Sequence, residues 1–170
     1  MHRDSAQDEE EQESLILVRS ERTFKVFKLA GNSFELMYDH LTKSAIDTIF
    51  AVFMAPDGDL MTILFAHNFV EHWTISNVSG ACTASMQKRV FCQEENCILY
   101  SGDIHVTGLV AAGTVFRSLL IWQAETGALV QRLLGHTGVI FDCCFLSRAD
   151  AGLVGSVSDD RTVRVWRAEK

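Results

Sequence analysis

The chain has 170 residues, of which 48% are hydrophobic, with one proline, 11 glycines and a net charge of −7. That composition suits one globular core and excludes a wholly disordered chain. The charge is uneven: residues 1–13 set Arg3 against six acids and carry −5, leaving −2 on the remainder, so no overall basic footprint points to DNA.

No apolar run reaches the roughly 18 residues of a membrane-spanning helix, and the polar, acidic start does not read as a secretory signal. The five cysteines lie mostly inside apolar runs. They read as reduced, buried thiols, which places the protein in the cytoplasm.

Residues 1–13 read as an acidic disordered tail and residues 14–170 as one folded segment. Leu15 to Val18 and Phe24 to Leu29, separated by the polar stretch Arg19 to Arg22, predict a hairpin, and Phe34 to Tyr38 a third strand. Asp39 to Ile49 is the one stretch that reads as a short helix. Thr48 to Met54 and Leu60 to Ala66 flank the turn Pro56-Asp57-Gly58. Phe69 to Ile75 carries Trp73, and Ala81 to Met86 supplies an outer strand. A further unit runs through Cys97 to Tyr100, Val106 to Val115, Leu119 to Trp122 and Ala128 to Leu134. The last unit has strands at Val139 to Phe145, Leu153 to Ser158 and Thr162 to Arg167. The chain is all-β.

Three short strands end in tryptophan, at Trp73, Trp122 and Trp166, so a unit repeats at the spacing of a propeller blade. In the last unit Gly135-His136 opens the repeat and Asp160 lies six residues before Trp166. His136, Ser156, Asp160 and Trp166 have the donors and acceptors for a buried chain in which carboxylate, imidazole, hydroxyl and indole are linked in turn. The same Ser, His and Asp could be read as a hydrolase triad. However, Ser156 lies mid-strand without a Gly-x-Ser-x-Gly elbow, and a triad leaves Trp166 unused. The third unit has Phe116, and the second His67, where the last has Asp160.

No catalytic or cofactor-binding residue is assigned. Cys92 and Cys97, with four residues between them, precede His105, but no Cys-x-x-Cys pair appears and they read as buried structural cysteines, while adjacent Cys143 and Cys144 face opposite sides of a strand. No glycine-rich phosphate loop occurs. The acidic pairs Asp57/Asp59 and Glu94/Glu95 read as solvated turn residues. Arg161, Arg164, Arg167 and Lys170 recur every third residue, a period that does not make one strand face.

Val165-Trp166-Arg167 stands where WD-repeats often carry Trp-Asp, and the closing unit resembles a WD-repeat. Leu64 to Trp73, Val110 to Trp122 and Gly135 to Trp166 together resemble the early blades of the WD repeat-containing protein six family. The resemblance covers roughly residues 47–170. It implies a partial WD-repeat β-propeller of about three and a half blades, a fragment of a longer protein, with open blade edges that favour association. It also implies a non-catalytic scaffold, the regulatory partner of an FtsJ-like methyltransferase acting on the 2′-O-ribose of the tRNA wobble nucleotide. The partner would bind S-adenosylmethionine, and tRNA would be met through the complex. A generic WD-repeat adaptor, such as a ubiquitin-ligase substrate receptor or a trafficking scaffold, is the alternative.

Overall fold

A computed structural model describes residues 14–30, 33–41, 48–55, 58–78, 81–94 and 97–168. The acidic tail, the Pro56-Asp57 turn and Glu95 lie outside the described residues. The described chain forms fourteen strands and no helix. Blade one comprises β1 (Ser14–Arg19), β2 (Thr23–Ala30) and β3 (Ser33–Leu41). Blade two comprises β4 (Ile49–Met54), β5 (Leu60–Phe65), β6 (Phe69–Val78) and β7 (Ala81–Phe91). In blade three are β8 (Leu99–Ile104), β9 (Leu109–Thr114), β10 (Ser118–Gln123) and β11 (Leu129–Leu134). Blade four has β12 (Ile140–Phe145), β13 (Leu153–Ser158) and β14 (Val163–Arg167). Each sheet is an antiparallel meander in chain order.

Successive sheets meet through their first strands: β4 packs on β8, and β8 on β12. The first strands therefore line the inside of an arc and the later strands its rim, as in a propeller. Blade one meets blade two at β3 against β7, and Phe24 and Val26 of β2 enter one core with Ile49, Met61 and Phe65.

The short-helix expectation is corrected over its first part. Asp39, His40 and Leu41 continue β3 and pair with Lys25, Phe24 and Thr23. Asp39 meets Lys25 at 3.1 Å, and His40 stacks on Phe24 at 5.1 Å between ring centroids. Cross-strand partners outweigh any local helical preference there. Residues 42–47 lie outside the described residues. Two further boundaries move: Val106 to Gly108 form a turn rather than strand, and β7 runs on to Phe91.

Blade three is covered on both faces, which explains its composition. Every residue of β9 is buried. Val110 and Ala112 enter one core with Leu99 of their own blade and Leu64 and Val70 of blade two, while Ala111 enters another with Ile140 and Phe145 from blade four. Strand alternation sends neighbours into opposite cores, so the run is continuously apolar instead of alternating with polar residues. Space also limits side-chain size. A Cβ on Gly113 would lie 2.7 Å from Ile140 Cγ2, and one on Gly102 2.3 Å from Leu64 Cδ2. Burying each of Leu119 and Leu120, both fully enclosed, contributes roughly 1.5–3 kcal/mol.

Buried or half-buried polar side chains stitch the blades together. The His72 imidazole donates from Nε2 to the Ala124 carbonyl at 2.9 Å, joining blades two and three. His105, fully buried, donates from Nε2 to the Ser147 carbonyl at 3.1 Å, joining blades three and four. His105 is thus engaged with Thr107 and Ser147 rather than with Cys92 and Cys97.

Candidate functional site

Ser156 sits in the middle of β13, two residues past Val154, which pairs with Trp166. Positions two apart share a face, so the hydroxyl lies beside the indole. Trp166 Nε1–H donates to Ser156 Oγ at 2.7 Å, and Ser156 lies 2.8 Å from His136 Nε2. His136 Nδ1 lies 2.8 Å from Asp160 Oδ2. Because the indole can only donate and the carboxylate can only accept, the protons are ordered. Ser156 donates to Nε2, and Nδ1–H donates to Asp160.

Asp160 also accepts from the Thr162 hydroxyl at 2.6 Å and from the backbone N–H groups of Thr137 and Thr162, each at 2.9 Å. These donors, the Thr162 hydroxyl foremost, hold its carboxyl well below the usual carboxylate range. Every member of the chain has its needs met, so the loop into blade four is tied to the β13–β14 turn. Ser156 is only 2% exposed, and its oxygen is occupied on both sides. A substrate carbonyl has no approach to it.

The neighbouring blades replace this device. The β5–β6, β9–β10 and β13–β14 turns share one geometry: Asn68, Arg117 and Arg161 have φ of 58°, 69° and 67°. The preceding residues, His67, Phe116 and Asp160, are therefore equivalent. Phe116 is 63% exposed, and its turn is closed instead by the Thr114 hydroxyl donating to the Ser118 carbonyl at 2.8 Å. Where blade four has Ser156, blade three has Ala112 and blade two Ile63, each two residues past the partner of its tryptophan. The buried Trp122 Nε1–H has no partner among the described residues. Trp73 Nε1–H donates to Glu71 Oε2 at 3.1 Å, and Glu71 is in turn bound by Arg89 at 2.6 Å.

The other sequence candidates separate. Cys143 is buried and Cys144 exposed; burial pushes the Cys143 thiol up to about 12 and Cys97 up to about 11. Among the described residues no group of three or more His, Cys, Asp or Glu side chains is arranged to hold a metal. Glu94, expected to be solvated, pairs with Arg132. Of the carboxy-terminal arginines, Arg164 lies over the Trp166 ring at 5.8 Å, Arg161 sits in the turn, and Arg167 is exposed on the opposite face of β14.

One set of residues escaped the sequence reading. The pairing of each first strand slips by one residue near its start, between Ile49 and Ala51, Leu99 and Ser101, and Ile140 and Asp142. The residues skipped are Phe50, Tyr100 and Phe141. A bulge turns its extra residue out of the ladder, and Tyr100 and Phe141 are about half exposed, with ring centroids 5.5 Å apart. An aromatic residue thus recurs at one bulge on three successive inner strands, at the end of the arc that carries the β5–β6, β9–β10 and β13–β14 turns. The signal was available: each follows directly on the aliphatic residue that opens its strand.

The chain is 33% identical over 84 residues to the tRNA (34-2′-O)-methyltransferase regulator WDR6 of Homo sapiens and 36% to that of Mus musculus. Each match takes in 43% of this chain, and only 7% of the relative's length is spanned. A WD repeat-containing protein 26 homolog of Arabidopsis thaliana is 33% identical over 61 residues, 36% of this chain and 10% of that protein. Among solved structures, that of U3-55K superposes with a TM-score of 0.56 at 18% identity, covering 74% of this chain and 37% of the other; this likeness concerns the fold. No protein-family model matches the chain.

Proposed function

The chain is a WD-repeat protein, and on that premise we propose that it is a non-catalytic interaction scaffold, the regulatory component of 2′-O-ribose methylation at the tRNA wobble nucleotide. The observation that carries this reading is the similarity, over 43% of the chain, to tRNA (34-2′-O)-methyltransferase regulators of several mammals. The partner is an FtsJ-like methyltransferase, which binds S-adenosylmethionine and performs the transfer. The scaffold holds that enzyme, and tRNA is met through the complex in the cytoplasm.

The bulged aromatics support a scaffold. Exposed aromatic side chains on rigid strands are the residues from which binding energy is concentrated at interfaces. The polar groups of blade four are consumed in holding the blade together. The test is recovery of the methyltransferase with the tagged protein, compared between wild type and the Tyr100→Ala/Phe141→Ala double variant. Both side chains are half exposed, so the fold tolerates their loss. Recovery is expected to fall at least about tenfold, the loss of one hot-spot contact. Recovery that is equal in both would remove the aromatic face from the interface.

The match to the Arabidopsis protein favours a second reading, a general WD-repeat adaptor. Recovery of ubiquitin-ligase subunits with no methyltransferase would select it.

A further inference from the structure

Blade four covers the face of blade three that holds Leu119 and Ile121, both fully buried in one core with Ile140 and Phe145. The other face of blade four is built to the same pattern. Val110 pairs with Trp122 as Val154 pairs with Trp166, so Leu119 and Ile121 correspond to Val163 and Val165. Those two valines are 73% and 63% exposed. Exposed Val157 and Leu153 extend the apolar surface across β13. Exposed Leu146 lies on it as well, since a Cβ on Gly155 would meet its Cδ2 at 2.9 Å. Among the described residues nothing covers this face. A contiguous apolar patch of this kind marks a site of association.

Two opposite charges mark its corners. Asp142 on β12 pairs with Val157, and Arg167 on β14 pairs with Leu153, so the two stand diagonally apart with the aliphatic residues between them. Cys143 enters the core shared with blade three, and strand alternation sends Asp142 to the open side. Asp142 accepts the neighbouring Cys143 N–H at 2.9 Å, and neither it nor Arg167 has an ion-pair partner among the described residues. The covered face of blade three is neutral at the equivalent positions, with Ser101 in place of Asp142 and Gln123 in place of Arg167.

The best complement to this face is apolar at its centre, with a cation opposite Asp142 and an anion opposite Arg167. The face itself meets that description when turned over. A two-fold axis along the other diagonal, from Leu146 to Val163, sets Asp142 of one protomer against Arg167 of the partner subunit, and the contact occurs twice. The same operation lays Val157 on Val165 of the partner subunit. The strands of the two sheets then cross near a right angle, which is one of the two ways in which sheets pack face to face.

We propose that the open face of blade four binds a second copy of this chain, forming an isologous dimer whose register is set by the Asp142–Arg167 pairs. One face of a three-stranded sheet is small beside stable interfaces, so the dimer is weak, with a Kd on the order of micromolar. The inference does not depend on the methylation reading.

The experiment is sedimentation equilibrium of the full chain over a range of concentrations, with charge reversals at the two corners. The wild type is expected to pass from monomer to dimer. Asp142→Arg and Arg167→Asp each set like charges face to face, and each is expected to weaken the dimer at least about tenfold. The combined variant restores opposite charges and is expected to recover it, which also shows that neither exposed change harms the fold. Cys144, beside Gly155 on this face, is expected to react with a maleimide readily in the monomer and more slowly as the dimer fills. A wild type that stays monomeric through the micromolar range overturns the proposal, as does a dimer that the single reversals leave unchanged or the combined variant fails to restore. Assembly that runs on past the dimer also overturns it, in favour of head-to-tail contact between blade four and another blade.

Discussion

Ala112 occupies in blade three the position that Ser156 occupies in blade four, and the Trp122 indole N–H is left buried without an acceptor where Trp166 donates to a hydroxyl. The two blades share a tryptophan and a turn geometry but differ in what the tryptophan meets. Blade three compensates with apolar enclosure: Trp122 is fully buried, whereas Trp166 is partly exposed.

Restoring the acceptor tests that comparison. Ala112→Ser is expected to raise stability by about 1 kcal/mol, which in a domain of this size is roughly 2–4 °C in Tm. Thermal denaturation followed by tryptophan fluorescence reads it. A lower Tm would mean that the hydroxyl is stranded and the indole N–H is not its partner.

Removing the central hydroxyl of blade four is expected to do the reverse. Ser156→Ala leaves the Trp166 N–H and His136 Nε2 without their shared partner and costs about 2 kcal/mol. Urea denaturation measures the loss. In the wild-type protein, a fluorophosphonate probe is expected to leave Ser156 unlabelled, because its oxygen is enclosed and committed. Stoichiometric labelling would revive the hydrolase reading.

Acid stability follows from Asp160. Its folded carboxyl titrates below its unfolded value of about 4. Its contribution is therefore complete above that value and is lost as pH falls from there toward the folded value. The denaturation midpoint of the wild type is expected to fall between about pH 5 and pH 2, and that of Asp160→Asn to change less over the same window. Parallel pH profiles would remove Asp160 as the source.

The cysteines are expected to react in the order of their exposure. Cys144 is exposed, whereas Cys92, Cys97 and Cys143 are buried, and burial holds Cys143 near 12 and Cys97 near 11. A maleimide at neutral pH should modify Cys144 first and the three buried thiols only on unfolding. Early modification of Cys143 would show that the seam between blades three and four opens in the native state.

Much of the fold was legible because the strand signal is local. Leu153 to Ser158 carries its boundaries in its own residues, and the tryptophan spacing sets the repeat. The candidate chain from His136 to Trp166 was legible too, since each group's hydrogen-bonding need is a property of its side chain. What could not be read depends on pairing. Asp39 and His40 look helical until Lys25 and Phe24 stand opposite them. Tyr100 and Phe141 look like core aromatics until the register slips at each, whereas Phe50 at the same bulge still packs against the core. Asn68 reads as a turn residue, and only the packing around it shows that its amide is buried.

The most direct measurement is the 2′-O-methyl content of the tRNA wobble nucleotide, determined by mass spectrometry, in cells with and without the gene for this protein. The scaffold reading predicts a loss of that modification on deletion and its return with the wild-type protein. Unchanged wobble methylation in the deletion would contradict it.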